Sequence, residues 1–260
     1  MQLIFLGTGD SQGVPRLMCS CSVCKAMCDC NVRTRSSLLI RGDDENLLID
    51  LSPDFKYQYI KHSHDLESTP DVIITHAHND HIGGIVDYSD MIYWNNQYTK
   101  IISTKDVVET LKERYPFITR RKHLQLVSTN EYNTKYWHIR LNKINHGFNG
   151  LSNGIHFSHR GFKWSYLSDS YNLSDDQISQ LFNIDLLVIG AAYYKENTPM
   201  ERRSLYDLHE VVKLKKFIKV NKVIVTHMSH DIDYYKYYDE FKLKGIILAR
   251  DNLVCNLDLL

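Results

Sequence analysis

The sequence lacks an excess of either charge, and it lacks long apolar runs. Lysine plus arginine and aspartate plus glutamate number 31 each, so the formal net charge is zero. A neutral chain has no long-range attraction for nucleic acid or for an anionic membrane surface, and we therefore expect nucleic acid not to be a partner. No stretch approaches the ~20 apolar residues of a membrane-spanning helix, so no membrane association is expected.

The sequence also lacks low-complexity segments, internal repeats and long linkers rich in Pro, Gly or Ser. We therefore predict a single domain over residues 1–260, a length that can bury a sizeable core. The apolar segment 1–7 has no basic region and is too short for a signal peptide, so it predicts a first strand. A cytoplasmic location follows as the expectation, and a homodimer is a further predicted assembly.

The most informative segment is 76–81, which directly follows the apolar run 72–74 and holds four candidate metal ligands. If a strand ends at Thr75, His76 and His78 point to the same side, because side chains alternate along a strand. Asp80 and His81 would then open a helix. Imidazole and carboxylate suit Zn, Mn or Fe, and two such ions generate hydroxide and hold both oxygens of a displacement. The segment predicts two neighbouring metal ions; the alternative is a polar loop with solvated histidines.

Hydrophobic patterns along the chain predict an α/β protein built as a sandwich of two mixed β-sheets flanked by helices. Predicted strands cover residues 3–6, 37–41, 46–49, 72–75, 100–103, 137–144, 154–158, 162–167, 185–189, 222–226, 245–248 and 253–256. Predicted helices lie near 53–61, 82–94, 105–115, 174–181, 206–216 and 233–241. Ser174 and Gln177 fit a capping box at the start of the fourth helix.

The segment 76–81, written His-x-His-x-Asp-His, resembles the metal motif of the metallo-β-lactamase superfamily. This resemblance implies an αββα fold and three further ligands at the ends of later strands. His146, Asp169 and His227 each follow an apolar or alternating stretch and match those positions. The resemblance implies that one metal is bound by His76, His78 and His146, that the other is bound by Asp80, His81 and His227, and that Asp169 bridges them.

Five cysteines fall within the twelve positions 19–30. Such short spacings strain disulfide bonds, and nothing signals secretion, so disulfide pairing is not expected. Thiolates at these spacings suit a tetrahedral structural zinc. We predict a zinc-binding loop at about 16–30 with the ligands Cys19, Cys21, Cys24 and His230. Cys28 and Cys30 are either spare or alternative ligands.

These motifs together resemble the phosphodiesterases of the carbon–phosphorus lyase pathway. The resemblance adds the glycine-rich segment 7–15, which would lie at the rim of the metal site, and the Thr-His-x-Ser-His pattern of 226–230. The tRNA 3′-processing endonucleases and the B-type proteins of pyrroloquinoline-quinone biosynthesis are relatives, but the tRNA-gripping arm of the endonucleases has no evident counterpart. The implied activity is metal-dependent hydrolysis of small or cyclic phosphodiesters.

Charge and neighbouring carboxylates extend this hypothesis. Asp80, Asp169 and a hydroxide would offset three of the four positive charges of two divalent cations, so the site would favour an anionic substrate. Asp80 is the residue to which we assign catalysis. Asp50, after the strand at 46–49, is either a carboxylate that orients a ligand imidazole or a plain turn residue.

One position departs from the phosphodiesterase pattern. Leu205 occupies the place where those enzymes carry a His near the leaving group, thought to act as general acid. His209, one helical turn later, either replaces that acid or is a solvated helix residue. The departure keeps open an alternative, a metal-dependent tailoring enzyme of peptide-derived cofactor or natural-product biosynthesis. A noncatalytic binding module is a second alternative, against which the complete ligand set argues.

Overall fold

The computed structural model describes residues 1–63, 66 and 68–257, and it confirms the predicted fold class. The strands are β1 (Gln2–Gly7), β2 (Ser37–Arg41), β3 (Asn46–Ile49), β4 (Asp71–Ile73), β5 (Thr99–Ser103), β6 (Leu124–Ser128), β7 (Glu131–Asn133), β8 (His138–Asn145), β9 (Leu151–His159), β10 (Phe162–Leu167), β11 (Leu186–Tyr193), β12 (Tyr206–Asp207), β13 (Lys222–Thr226), β14 (Ile246–Leu248) and β15 (Leu253–Asn256).

These strands form two mixed sheets. The first sheet has the order β15-β1-β2-β3-β4-β5-β6, antiparallel from β15 to β3 and parallel from β3 to β6. The second has the order β14-β13-β11-β10-β9-β8-β7, with the short β12 paired to β11. In that sheet β7 to β10 are antiparallel neighbours, whereas β10, β11, β13 and β14 run parallel.

Helices cover the outer face of each sheet. These helices are α2 (Phe55–Ile60), α3 (Asn79–Ile82), α4 (Ile85–Trp94), α5 (Lys105–Arg114), α6 (Asp175–Ser179), α7 (Leu208–Ile218) and α8 (Tyr234–Lys242). The short helix α1 (Ser22–Ala26) lies in the cysteine-rich segment, in a small separate cluster with Val14. Buried side chains of α2 to α5 pack on the first sheet, and those of α7 and α8 pack on the second. None of the helices in the described ranges is long and apolar enough to cross a membrane.

The apolar core has three layers because the central strands are buried on both faces. In β1, Leu3 and Phe5 pack between the sheets, whereas Ile4 and Leu6 pack against helices. Such strands appear in the sequence as continuous apolar runs rather than as alternating patterns. The run 72–74 that precedes the histidine motif is a strand of this kind, and it ends at Ile73, two residues before the predicted end.

Local chemistry explains where helices differ from their predicted bounds. The helix predicted over 82–94 is two helices, because the chain passes close to the segment after β3 at Gly84. A Cβ at Gly84 would lie 2.3 Å from the carbonyl oxygen of Ser52. The helix predicted from residue 206 begins at Leu208, since Asp207 is its N-cap and forms a capping box with Glu210. The capping box of Ser174 and Gln177 is confirmed.

Candidate metal centres

The candidate ligands lie where strands of both sheets end, on one edge of the sandwich. The motif 76–81 follows β4, and its Asp80 and His81 lie in α3, which has His78 as N-cap. His146, Asp169 and His227 come from the second sheet, where they follow β8, β10 and β13. The sheets are joined beside this edge, because the Asn153 side chain donates a 2.6 Å hydrogen bond to the carbonyl of Thr75.

The structure brings all seven predicted ligands of the paired site together. The potential ligand atoms of His76, His78 and His146 lie within 4.8 Å of one another, and so do those of Asp80, His81 and His227. Asp169 groups with His76 and His81, and its carboxylate oxygens lie 3.1 Å from His81 Nε2 and 3.4 Å from His227 Nε2. This arrangement matches two adjacent centres with Asp169 next to both.

Asp50 is not a plain turn residue, because its carboxylate is fully buried behind the ligands. His81 Nδ1 donates to it at 2.7 Å, and the amide and hydroxyl of Thr75 also donate to it. The hydrogen bond from Nδ1 leaves His81 Nε2 directed at Asp80 and Asp169. His146 is oriented in the same way, since its Nδ1 donates to the carbonyl oxygen of Ser204 at 2.8 Å. Such partners fix the tautomer of an imidazole ligand.

Burial and neighbouring charges shift the pKa values of the candidate ligands in different directions. Burial alone would lower the pKa of His81, but Asp80, Asp169 and Asp50 outweigh it and raise that pKa. Burial would raise the pKa of Asp169, but His227 and His81 outweigh it and hold that pKa well below its usual range. Burial and the charge of His81 lower the pKa of His76. The site therefore combines carboxylates that attract a cation with a neutral imidazole that can donate its lone pair.

The atoms of the site fit two divalent cations. His81 Nε2, His146 Nε2 and Asp169 Oδ2 are buried without a hydrogen-bond partner of suitable geometry. Observed separations between potential ligand atoms include 3.2 Å for His81 Nε2 to Asp80 and 3.5 Å for His146 Nε2 to Asp169. Ligand atoms that share one metal at ~2.1 Å lie about 3–3.5 Å apart. These ligand-atom separations are those expected around a shared metal, whereas His81 Nε2, His146 Nε2 and Asp169 Oδ2 lack the geometry of hydrogen bonds to one another.

Backbone features place His227 in this site. Its φ is 55°, a left-handed conformation that is uncommon for residues other than glycine and that concentrates at functional sites. Gly190, in the neighbouring strand β11, allows the close approach. A Cβ at Gly190 would lie 1.7 Å from the carbonyl oxygen of Ser168 and 3.2 Å from the Cβ of His227.

A polar cavity of about 270 Å³ opens onto the candidate ligands. The glycine-rich segment contributes Asp10, Ser11 and Gln12 to its wall, as predicted for a rim segment. Sequence patterns did not reveal several further polar residues of the cavity wall, which include Arg16, Asn149, Tyr193, Glu196 and Arg202. These residues lie in loops, in short 3-10 helices and at a strand end, where sequence periodicity carries little information about position.

Leu205, which occupies the position of the His in the phosphodiesterase pattern, lies in the wall of this cavity and is 9% exposed. His209 does not line the cavity. Its ring packs against Tyr194 and Phe241, with centroids 4.8 and 5.9 Å away, so it is neither positioned as an acid nor simply solvated.

The predicted cysteine cluster also forms. Nδ1 of His230 lies 3.2 Å from the sulfur of Cys19 and 3.5 Å from those of Cys21 and Cys24. In a tetrahedral zinc site with Zn–S and Zn–N bonds of usual length, nitrogen and sulfur lie about 3.5 Å apart, so these residues fit a zinc ion. Cys28 and Cys30 are outside the four-residue group; Cys28 is exposed, and the amide of Cys30 contacts the hydroxyl of Tyr235 at 3.5 Å.

Replacing Cys21 with serine is expected to remove one equivalent of zinc and to lower the free energy of unfolding. The other ligand groups do not include Cys21, so the folded protein should keep the paired ions. Metal analysis and thermal unfolding of the variant measure both effects, and Cys28→Ser is the matched control from the same loop. Zinc content equal to that of the wild type would exclude Cys21 as a ligand.

The fold and the sequence together define the class of protein. A family model described as a beta-lactamase superfamily domain matches residues 45–228, which is more than half of the chain. The chain therefore belongs to this superfamily, and its two helix-flanked mixed sheets are the metallo-β-lactamase fold. The family resemblance that the motifs indicated is confirmed.

Particular relatives fit this assignment. A diphosphatase of the PhnP family is 24% identical, with a TM-score of 0.85 over 98% of this chain and 97% of that chain. Zn2+-bound PqqB from Methylobacterium extorquens is 17% identical, with a TM-score of 0.81 over 99% of this chain and all (100%) of that chain. At these identities, the similarity establishes a shared fold.

Among curated proteins, an octanoyltransferase of Porphyromonas gingivalis is 25% identical over 240 residues. The aligned region is 88% of this chain and 46% of the octanoyltransferase. The chain thus spans less than half the length of the curated relatives it matches.

Proposed function

We propose that the protein is a metal-dependent hydrolase that cleaves small or cyclic phosphodiesters with two divalent ions, Zn, Mn or Fe. The observation that carries the proposal is that two groups of three potential ligands face one polar cavity, with Asp169 next to both. A third ion, zinc, would be held by the cysteine cluster and would have a structural role.

Each ligand has a defined task in this proposal. His76, His78 and His146 would hold one ion, Asp80, His81 and His227 would hold the other, and the Asp169 carboxylate lies next to both groups. When bound, two divalent ions supply Lewis acidity and an activated water for attack on phosphorus. Asp50 fixes the ring of His81 through the 2.7 Å hydrogen bond to Nδ1, which keeps Nε2 available as a ligand atom.

The charges of the cavity support an anionic substrate. Arg16 and Arg202 line its wall. Of the acidic residues beside them, Asp10 pairs with Arg16, and Glu196 pairs with the buried Arg203 at 3.0 Å. The four positive charges of two divalent ions would exceed the negative charges of Asp80 and Asp169, so a metal-loaded site would carry a net positive charge. The similarity to a diphosphatase agrees with a substrate that contains phosphate.

Leu205 favours a second candidate function, a tailoring enzyme of peptide-derived cofactor or natural-product biosynthesis. The cavity wall has an apolar side chain where an acid would protonate an alkoxide leaving group, and His209 is directed elsewhere. Chemistry that releases no alkoxide does not need that acid. The fold similarity to PqqB is consistent with this candidate.

Hydrolysis assays distinguish the two candidates. Protein loaded with Zn or Mn should release nitrophenolate from bis(4-nitrophenyl) phosphate and should open a 2′,3′-cyclic nucleotide. Asp80→Ala is the matched control for contaminating activity. If neither ester is cleaved with either metal, the phosphodiesterase proposal is wrong, and the tailoring function takes its place.

Cellular location and assembly stay predictions from the sequence. We propose a cytoplasmic enzyme with one domain over residues 1–260, a small anionic substrate and a homodimeric assembly.

A further inference from the structure

The cysteine cluster and the catalytic cavity share one side chain, Arg16. Its backbone amide lies 3.4 Å from the sulfur of Cys24, which places the residue at the edge of the cluster. Its guanidinium nevertheless reaches the wall of the cavity, where it forms an ion pair with Asp10. Arg16 is thus the residue through which a change in the cluster can reach the cavity directly.

The guanidinium contacts both sites with different nitrogens. Arg16 Nη2 is the atom that pairs with Asp10, whereas Nη1 lies 3.1 Å from Nε2 of His230. The third nitrogen, Nε, is buried without a hydrogen-bond partner. Asp10 occupies Nη2, and the Tyr193 side chain also contacts the guanidinium. Whether Nη1 meets an acceptor at His230 depends on the state of the His230 ring.

A metal in the cluster determines that state. Nδ1 of His230 faces the three sulfurs, so it is the nitrogen that would bind zinc. A neutral imidazole that binds a metal through one nitrogen carries its proton on the other. With zinc present, Nε2 is therefore a donor and cannot accept a hydrogen bond from Arg16. Without zinc, the proton can occupy Nδ1, and Nε2 becomes an acceptor for Arg16.

We propose that zinc in the cysteine cluster makes Arg16 available to an anionic oxygen of the substrate. With zinc bound, Nη1 has no acceptor on His230, and a phosphate oxygen in the cavity supplies one. Without zinc, His230 holds the guanidinium and competes with the substrate. The cluster is a positioning device, and Arg16 is the residue that touches the substrate. This inference rests on the anionic substrate of the proposed function and adds a binding residue to it.

Phosphate binding tests the role of Arg16 without requiring turnover. Calorimetric titration of the metal-loaded protein with inorganic phosphate should show binding weakened about tenfold or more in Arg16→Gln, the effect of losing a hydrogen bond between charged groups. Arg120→Gln is the matched control, an exposed arginine that is not part of the cavity wall. Unchanged phosphate affinity in Arg16→Gln would overturn the inference.

A double-mutant cycle tests the coupling between the two sites. Cys21→Ser should also weaken phosphate binding about tenfold, and it should raise KM for bis(4-nitrophenyl) phosphate more than it lowers kcat. Combined with Arg16→Gln, it should cause no further loss, because both changes remove the same contact. Additive losses would show that the cluster does not act through Arg16. Cys28→Ser, which changes the same loop outside the cluster, should bind phosphate like the wild type.

Zinc release gives a readout that needs no cysteine variant, in case Cys21→Ser does not fold. Coupling between the affinities of two ligands is reciprocal, so phosphate should tighten zinc binding if zinc favours phosphate binding. In protein with Mn in the paired site, phosphate should lower the fraction of zinc that a chromogenic chelator removes at equilibrium, and it should not do so in Arg16→Gln. Equal fractions with and without phosphate in the wild type would contradict the coupling. Failure to cleave any diester would count against the proposed function alone.

Discussion

Replacing Asp80 with alanine is expected to lower kcat/KM for phosphodiesters by a factor of about a hundred or more. Asp80 lies 3.2 Å from His81 Nε2 and 3.3 Å from His227 Nε2, so its carboxylate belongs to the centre that these residues form. The substitution removes both a ligand and a negative charge. Losing the ion that activates water costs several kcal/mol of barrier, and each ~1.4 kcal/mol is a tenfold change in rate.

Steady-state kinetics with metal analysis of the same sample measure this effect. Asp87→Ala, which removes an exposed carboxylate from α4, is the matched control and should keep the wild-type rate. Asp80→Ala, unlike this control, should also lose about one equivalent of metal. More than about a tenth of wild-type activity in Asp80→Ala would contradict the role that we give to this residue.

Leu205 predicts a strong dependence of rate on the leaving group. A nitrophenolate departs without a proton, whereas an alkoxide needs one, and general acid catalysis contributes ~10²–10⁴-fold. Because an apolar side chain lines the cavity at this position, the wild type should cleave aryl phosphodiesters far faster than alkyl phosphodiesters. Leu205→His should raise the alkyl rate while changing the aryl rate little.

The informative quantity is the ratio of the aryl to the alkyl rate in the two proteins, measured with 4-nitrophenyl and alkyl esters of the same phosphate. Leu205→Met is the control for a change of shape without an added proton donor. If the wild type already cleaves alkyl esters efficiently, another residue supplies the proton. His209→Ala then tests whether the ring moves from its contacts with Tyr194 and Phe241 to do so.

Much of the candidate site could be predicted because its motifs resemble those of a known superfamily and its ligands follow strands. His76 and His227 follow the parallel strands β4 and β13, whereas His146 follows β8, which is antiparallel to β9 and therefore has the same direction as β10. The role of Arg16 could not be predicted in this way. Its contact with His230 joins residues that are 214 positions apart, and no local pattern relates them. Arg202 also lines the cavity wall, and no local sequence pattern predicts that position either.

Three of the described strands were not predicted: β6, β7 and β12. β6 (Leu124–Ser128) is an edge strand of the first sheet, and its Gln125 and Ser128 side chains are exposed, so it has no continuous apolar run. β7 (Glu131–Asn133) is an edge strand with an exposed–intermediate–exposed pattern, and it has no apolar run to reveal it. β12 (Tyr206–Asp207) consists of two residues and depends on pairing with β11. The predicted central strands were confirmed because burial on both faces requires continuous apolar sequence.

The most direct test of a two-metal phosphodiesterase is a titration of metal-free protein with Zn or Mn while diester hydrolysis is measured. After the cysteine cluster has been filled with zinc, activity should rise and reach a plateau at two further equivalents of metal per chain. A plateau at one equivalent would contradict the binding of two ions in the paired site. An absence of hydrolysis at every metal content would contradict the proposed phosphodiesterase activity.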